Sequence, residues 1–308
     1  GGLLRVEDPL AVLEPHLRAL RDHLHERLAR GQLDGLPGPI EELRRRGGRL
    51  LAPRPPDRRA VRGNDRDGVV DDLAIDLATI NEIVLSHGHM DHLGSLNVLL
   101  EKMPKPMPLL VHPYAFTSPR YVSRKDGGKD RFPIMLDRRE IEKRGGQIKE
   151  TEAPTLICED MIMVSGEVER TTSFEKGMPH AMVEKNGKLE KDPISEDQAL
   201  FVHLRGKGLA VIGGCSHAGI VNTVLYGKKL TGAQTVHAVL GGFHLSGPFF
   251  EPIIGETIEA LKAMAPKVLV PMHCTGWKAI HRFEEAFPGV FILNAVGSNY
   301  TLSSTAAA

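Results

Sequence analysis

The stretch SHGHMDH, residues 86–92, sets three histidines and an aspartate within seven positions, directly after the apolar run Ile83-Val84-Leu85. Few folds can absorb such a cluster, because every buried imidazole nitrogen needs a hydrogen-bond partner or a metal ion. The apolar run reads as a strand, so the cluster falls at a strand end. The same arrangement recurs along the chain: His217 follows GLAVIGG, His244 follows VHAVLGG, and His273 ends KVLVPMH. In α/β sheets strand ends are where ligand sites assemble. Within the first cluster His87 and His89 lie in an extended loop at i and i+2, and Asp91 and His92 begin the next helix. That geometry divides the ligands between two adjacent divalent metal ions, with imidazoles and a carboxylate suiting Zn2+ or another borderline metal.

The order of elements agrees with a mixed fold. From residue 68 onward apolar runs alternate with helical patterns: strand INEIVLS, helix HLGSLNVLLEKM, strand PLLVHP, helix REIEKRG and strands GQIKE, TLICE and MIMVSG. QALFVHL and GLAVIGG form a hairpin around RGKG. Helix GIVNTVLYGKKL, strand VHAVLGG, helix EPIIGETIEALKAMA, strand KVLVPMH, helix GWKAIHRFEEAF and strand VFILNA complete the series. The intervals 113–135 and 166–197 read as loops that wall the pocket.

Residues 1–66 contrast with this pattern. They hold 14 Arg and no Lys, whereas residues 67–308 hold 9 Arg and 16 Lys. Leucines recurring between Leu10 and Leu28 predict an amphipathic helix, a packing face whose alternative use is a homo-oligomer seam. The Pro-, Gly- and Arg-rich stretch after it reads as a linker. The division expected is therefore an atypical Arg-rich helical and linker segment at 1–66 and a catalytic domain at 67–308.

Composition narrows the partners. Lys+Arg and Asp+Glu are equal at 39 each, so no overall basic field recommends nucleic acid. Three scattered cysteines make no disulfide framework. The most apolar stretch, GLAVIGGCSHAGIVNTVLY, is too interrupted for a transmembrane helix, and GGLLRVEDPL lacks the order of a signal peptide, so a cytoplasmic protein acting on a small-molecule substrate is expected.

HGHMDH resembles the HxHxDH motif of the metallo-β-lactamase superfamily. GGCSHAGIVNTV, AVLGGFHLSGP and VPMHCTGW, in that order, extend the resemblance to the subgroup of 7,8-dihydropterin-6-yl-methyl-4-(β-D-ribofuranosyl)aminobenzene 5′-phosphate synthase-like proteins, over roughly residues 68–302. The resemblance implies an α+β fold, the αββα sandwich, with a dinuclear metal site at one edge. It implies metal ligands His87, His89, Asp91, His92, His217 and His273, and two divalent ions: Zn2+ first, with Fe or Mn as alternatives. Asp91 would also assist proton transfer, and His244 would donate to a phosphate or a leaving group. Cys215 stands where the superfamily often has a bridging aspartate, and a packed thiol is the preferred reading, with His217 supplying the ligand instead.

The remaining candidates have plainer readings. His203 is expected to be structural and His112 to support the ligands from behind. His180 is expected on a solvated loop, while Cys274 and Trp277 are expected to pack the start of the last helix. The function expected is a hydrolase that uses a dinuclear-metal-bound hydroxide on an ester or phosphoester of a small, phosphorylated molecule. The alternatives are a transferase joining a pterin-methyl diphosphate to an aminobenzene ribotide phosphate, and a non-catalytic or redox metal site. The chain has no GxSxG elbow and no Walker loop.

Overall fold

The computed structural model describes residues 75–124, 126–133 and 136–303. The expected leucine-stripe helix and linker of residues 1–66 lie outside the described residues. The first sheet is parallel, in the order β1 (Ile83–Val84), β2 (Met107–Val111), β5 (Gly146–Glu150). Met107, Leu109 and Val111 alternate along β2 and are fully buried, as the two-residue period of a strand requires. They pack against Leu93 of α1 (Met90–Leu93), Leu96 and Leu100 of α2 (Leu96–Lys102), and Ile141 of α3 (Arg138–Lys143). Asp137 starts α3 by accepting from the N–H groups of Arg139 and Glu140, a carboxylate N-cap.

The second sheet runs β13 (Val268–Met272), β12 (Val236–Gly242), β11 (Gly208–Gly213), β10 (Ala199–Leu204), β7 (Ile162–Val164), β6 (Thr155–Ile157). The three strands β11 to β13 are parallel, and β10 returns antiparallel to β11 through the expected RGKG turn. One register row crosses it: Met163, Phe201, Val211, Val239 and Leu269. That row faces α4 (Ile220–Thr231), α5 (Ile254–Met264) and α6 (Trp277–Ala286) in one apolar cluster. The flanking rows, Ala210 with Ala238 and Leu240 with Val270, point the other way and are buried as well, so both faces of this sheet are covered. The αββα sandwich and the α+β class hold.

Two expectations change. The run VFILNA is no strand; Phe291 makes one isolated parallel bridge to Leu269, after which Ile292 and Leu293 are exposed. The intervals read as loops contain an antiparallel sheet, in the order β4 (Lys129–Arg131), β3 (Arg120–Ser123), β8 (Ala181–Lys185), β9 (Lys188–Lys191). Asn186 (φ 52°) and Gly187 (φ 73°) close its second hairpin, and both stand in the left-handed region that a tight two-residue turn demands. The Asn-Gly pair between alternating residues is a strong hairpin signal that the reading of 166–197 as loop passed over. Among the described residues, no helix is long and apolar enough to cross a membrane.

Candidate metal centre

The ends of β1, β11, β12 and β13 meet at one edge, as the strand-ending histidines require. The ends of β11 and β12 approach so closely that a side chain would not fit between them: a Cβ on Gly241 (φ 131°) would lie 2.4 Å from the Gly213 carbonyl oxygen. Beyond these ends Ser216 (φ 56°), His244 (φ 46°) and His273 (φ 53°) take a left-handed conformation uncommon for residues with a Cβ. Three such residues at three adjoining strand ends mark a place where packing holds the backbone in an unfavoured shape, as functional sites often do.

The side chains form two donor sets. His87, His89 and His217 are buried and converge, with the Nε2 atoms of His87 and His217 3.1 Å apart. Asp91, His92, Cys215 and His273 form the second: His92 Nε2 lies 3.1 Å from Cys215 Sγ and 3.0 Å from His273 Nε2, and Asp91 Oδ2 is 3.2 Å from His273 Nε2. All six residues expected as ligands are therefore brought together, and Cys215 joins them. The preferred packed-thiol reading of Cys215 captured its burial but not the direction of its sulfur, which points into the second set. Cys215, His217 and His244 make a third grouping, so Cys215 sits where the sets adjoin.

Electrostatics favours a cation here. Burial, followed by the proximity of His217, holds His87 well below the ordinary histidine value, and burial with His244 does the same to His217. Burial brings His89 down to about 4, although the Glu196 carboxylate opposes it. The three imidazoles are thus neutral at pH 7, with lone pairs free for coordination. Ser86 Oγ lies 3.1 Å from both His87 Nδ1 and His92 Nδ1. If its oxygen accepts from both rings, their Nε2 lone pairs are left bare toward the cluster. Neutral imidazoles, a carboxylate and a thiol are a donor set that fits a borderline divalent metal.

Cys274 Sγ lies 3.6 Å from the Cys215 carbonyl oxygen. Its contact with the Cys215 thiol brings it down to about 5, while Cys215 is pushed up by that same contact and by burial.

A cleft of about 480 Å³ opens beside the first set, lined by His217, His244, Phe249, Phe250, Lys176 and Lys191 among others. The His244 ring is 4.3 Å from that of His217 and 4.6 Å from that of Phe250, and its Nδ1 is buried without a hydrogen-bond partner. His244 thus reaches both the donor cluster and the cleft.

A family model described as the metallo-beta-lactamase superfamily matches residues 36–158. The chain is also 34% identical, over 223 residues covering 70% of it and 73% of the relative, to the 7,8-dihydropterin-6-methyl-4-(beta-D-ribofuranosyl)-aminobenzene-5'-phosphate synthase of Methanocaldococcus jannaschii. The chain belongs to the metallo-β-lactamase superfamily. An uncharacterized protein of the same organism is 34% identical over 203 residues, 66% of this chain and 72% of that one. The crystal structure of Tm1679, a metal-dependent hydrolase of the beta-lactamase superfamily, superposes with a TM-score of 0.61 at 26% identity, covering 76% of this chain and 82% of that one.

Other candidates fall elsewhere. His112 accepts from Tyr114 N–H and caps a short 3-10 turn, and His203 is exposed on β10. His180 lies in a turn, half-buried, and stands edge-on to Phe249 at 4.3 Å. Trp277 does not pack the start of α6 but is 81% exposed. Sequence reasoning missed Ser86, which looks like an ordinary strand-end serine. It also missed Glu196, Asp197 and Gln198, whose burial nothing in the sequence announces.

Proposed function

We propose that this protein is a metal-dependent hydrolase that cleaves an ester or phosphoester of a small, phosphorylated molecule. The observation that carries the reading is the meeting of the two donor sets, where the His87 and His92 rings lie 4.1 Å apart and Cys215 groups with His217, beside a cleft that His244 and His217 both line. Divalent cations in such a pair of sites polarise a substrate oxygen and lower the pKa of bound water. The chain's own residues do the rest. His87, His89, His217, Asp91, His92, Cys215 and His273 hold the ions. The Asp91 carboxylate, at the open side of the second set, is placed to take up a proton. His244 lines the cleft beside His217, suited to hydrogen-bond a phosphate oxygen or protonate a leaving group. Lys176 and Lys191 supply positive charge on the cleft wall for an anionic substrate, and the volume suits a small molecule.

A second reading is a transferase that joins a pterin-methyl diphosphate to an aminobenzene ribotide phosphate. Its support is the likeness to the Methanocaldococcus jannaschii synthase; Phe249 and Phe250 in the cleft would suit a flat ring system. Metal-replete protein offered a panel of phosphoesters and carboxylic esters, and separately the two synthase substrates, decides between them. Metal-dependent ester cleavage with no diphosphate release from the pterin substrate is the result expected. Stoichiometric diphosphate release with a condensed product would replace the hydrolase reading.

A further inference from the structure

Three consecutive side chains at the entry to β10 grip the backbone that carries one of the two donor sets. Glu196 Oε1 accepts from the N–H of Gly88, the residue between His87 and His89, at 3.3 Å. Asp197 Oδ2 accepts from the N–H of Ala218, the residue after His217, at 2.9 Å. Gln198 Nε2 donates to the Leu85 carbonyl at 2.7 Å, and the Gln198 N–H donates to the Ser86 carbonyl at 2.9 Å. Glu196, Asp197 and Gln198 are all at most 3% exposed. Burying two carboxylates and an amide is costly without such partners.

Glu196 is itself fixed. The Arg120 guanidinium from β3 forks onto both of its carboxylate oxygens, with Nη2 3.1 Å from Oε2. Arg120 Nη2 also donates to the Tyr114 carbonyl, and Arg120 lies 3.1 Å from Asp192 Oδ2. Gly88 has no room to move away: a Cβ there would lie 2.9 Å from the Ala115 carbonyl and 3.2 Å from Glu196 Oε1. Phe132, which follows β4, stacks on the His89 ring at 5.2 Å. None of the Glu196, Asp197, Arg120 and Phe132 contacts reaches Asp91, His92, Cys215 or His273; Gln198 touches that set only indirectly, through Ser86, whose Oγ lies 3.1 Å from His92 Nδ1.

We propose that Glu196, locked by Arg120, and Asp197 are positioning residues that set the cation affinity of the His87, His89 and His217 triad and leave that of the Asp91, His92, Cys215 and His273 set unaffected. The inference rests on the metal-centre reading above. Groups that orient ligands from behind commonly change metal affinity 10- to 100-fold when replaced. Glu196→Gln keeps the volume but spoils the fork, because the amide nitrogen faces the guanidinium with a second donor. Asp197→Asn weakens the acceptor at Ala218.

The test is equilibrium dialysis of the full chain against Zn2+, with bound metal counted by mass spectrometry and folding checked by circular dichroism. The parent should hold two ions. Glu196→Gln and Asp197→Asn should each weaken one ion at least tenfold and leave the other unchanged. In a His89→Ala background, where the triad is already broken, adding either substitution should change the remaining affinity no further. Where Glu196→Gln does not fold, Arg120→Lys, which keeps the charge but loses the fork, should weaken the same ion severalfold. Variants that keep both ions at parental affinity, or weaken both equally, would overturn the proposal alone. A parent that binds no divalent cation would overturn the metal-centre reading and the proposal with it.

Discussion

His89 takes its proton near 4 rather than 6.5 because burial disfavours its charged form. Between those two values an unfolded chain binds the proton and the folded one does not, so acidification through that window removes stability. In metal-free protein the stability difference, parent minus His89→Gln, should fall by up to about 3 kcal/mol from pH 7 to pH 4. Urea unfolding at stepped pH measures it, and a pH-independent difference would mean that His89 titrates alike in the folded and the unfolded chain. Cys215 offers a second test at this scale. Its sulfur is 3.1 Å from His92 Nε2 and points at the second donor set, so Cys215→Ser should weaken one cation and spare the triad. Absorption of the Co2+-loaded protein checks this, since a thiolate ligand adds an intense near-ultraviolet band that the serine variant should lack.

At the scale of elements, the β11 and β12 ends are the hinge of the site. Gly241→Ala would place a methyl 2.4 Å from the Gly213 carbonyl and force a Cβ into φ 131°. The strands must part, and the turns that carry Cys215, His217 and His244 move with them. The expected result is a destabilisation of about 2 kcal/mol or more together with lower metal content, read by thermal melting and metal analysis of the same sample. Unchanged metal content in a clearly destabilised variant would show that the strand ends are not what holds the ligands. The small third sheet is legible only in part. The Asn186-Gly187 turn is a local signal, because left-handed backbone is a property of two residues. The pairing of β3 with β8 joins residues some sixty positions apart, and no window of the sequence contains it.

Across the whole molecule the donor sets join parts that are remote in the chain. The triad takes His87 and His89 from the loop after β1 and His217 from beyond β11; the second set adds Asp91 and His92 from α1 and His273 from the end of β13. Ions bound there would link the three-stranded sheet to the six-stranded one. Anything that binds only the folded state stabilises it, by about 4 kcal/mol at a thousandfold excess over the dissociation constant. Chelation should therefore lower the melting temperature by on the order of 10 °C, and added Zn2+ should restore it. Calorimetry with and without chelator decides this, and an identical melting temperature in both would mean that no cation holds the halves together.

The sequence by itself determined which histidines gather: HGHMDH after an apolar strand, and histidines after three more strands, identify the ligand candidates because strand ends of a helix-covered sheet must gather at an edge. It also determined the hairpin around RGKG and the helices α4 to α6, whose apolar spacing is local. Only the tertiary structure decided that Cys215 points into the second set, that Arg120 reaches Glu196 from another sheet, and that Glu196, Asp197 and Gln198 are buried behind the ligands. Side-chain direction and the burial of charge depend on partners that arrive from distant positions. A carboxylate reads as a surface residue until the fold delivers the N–H groups and the guanidinium that let it stay inside.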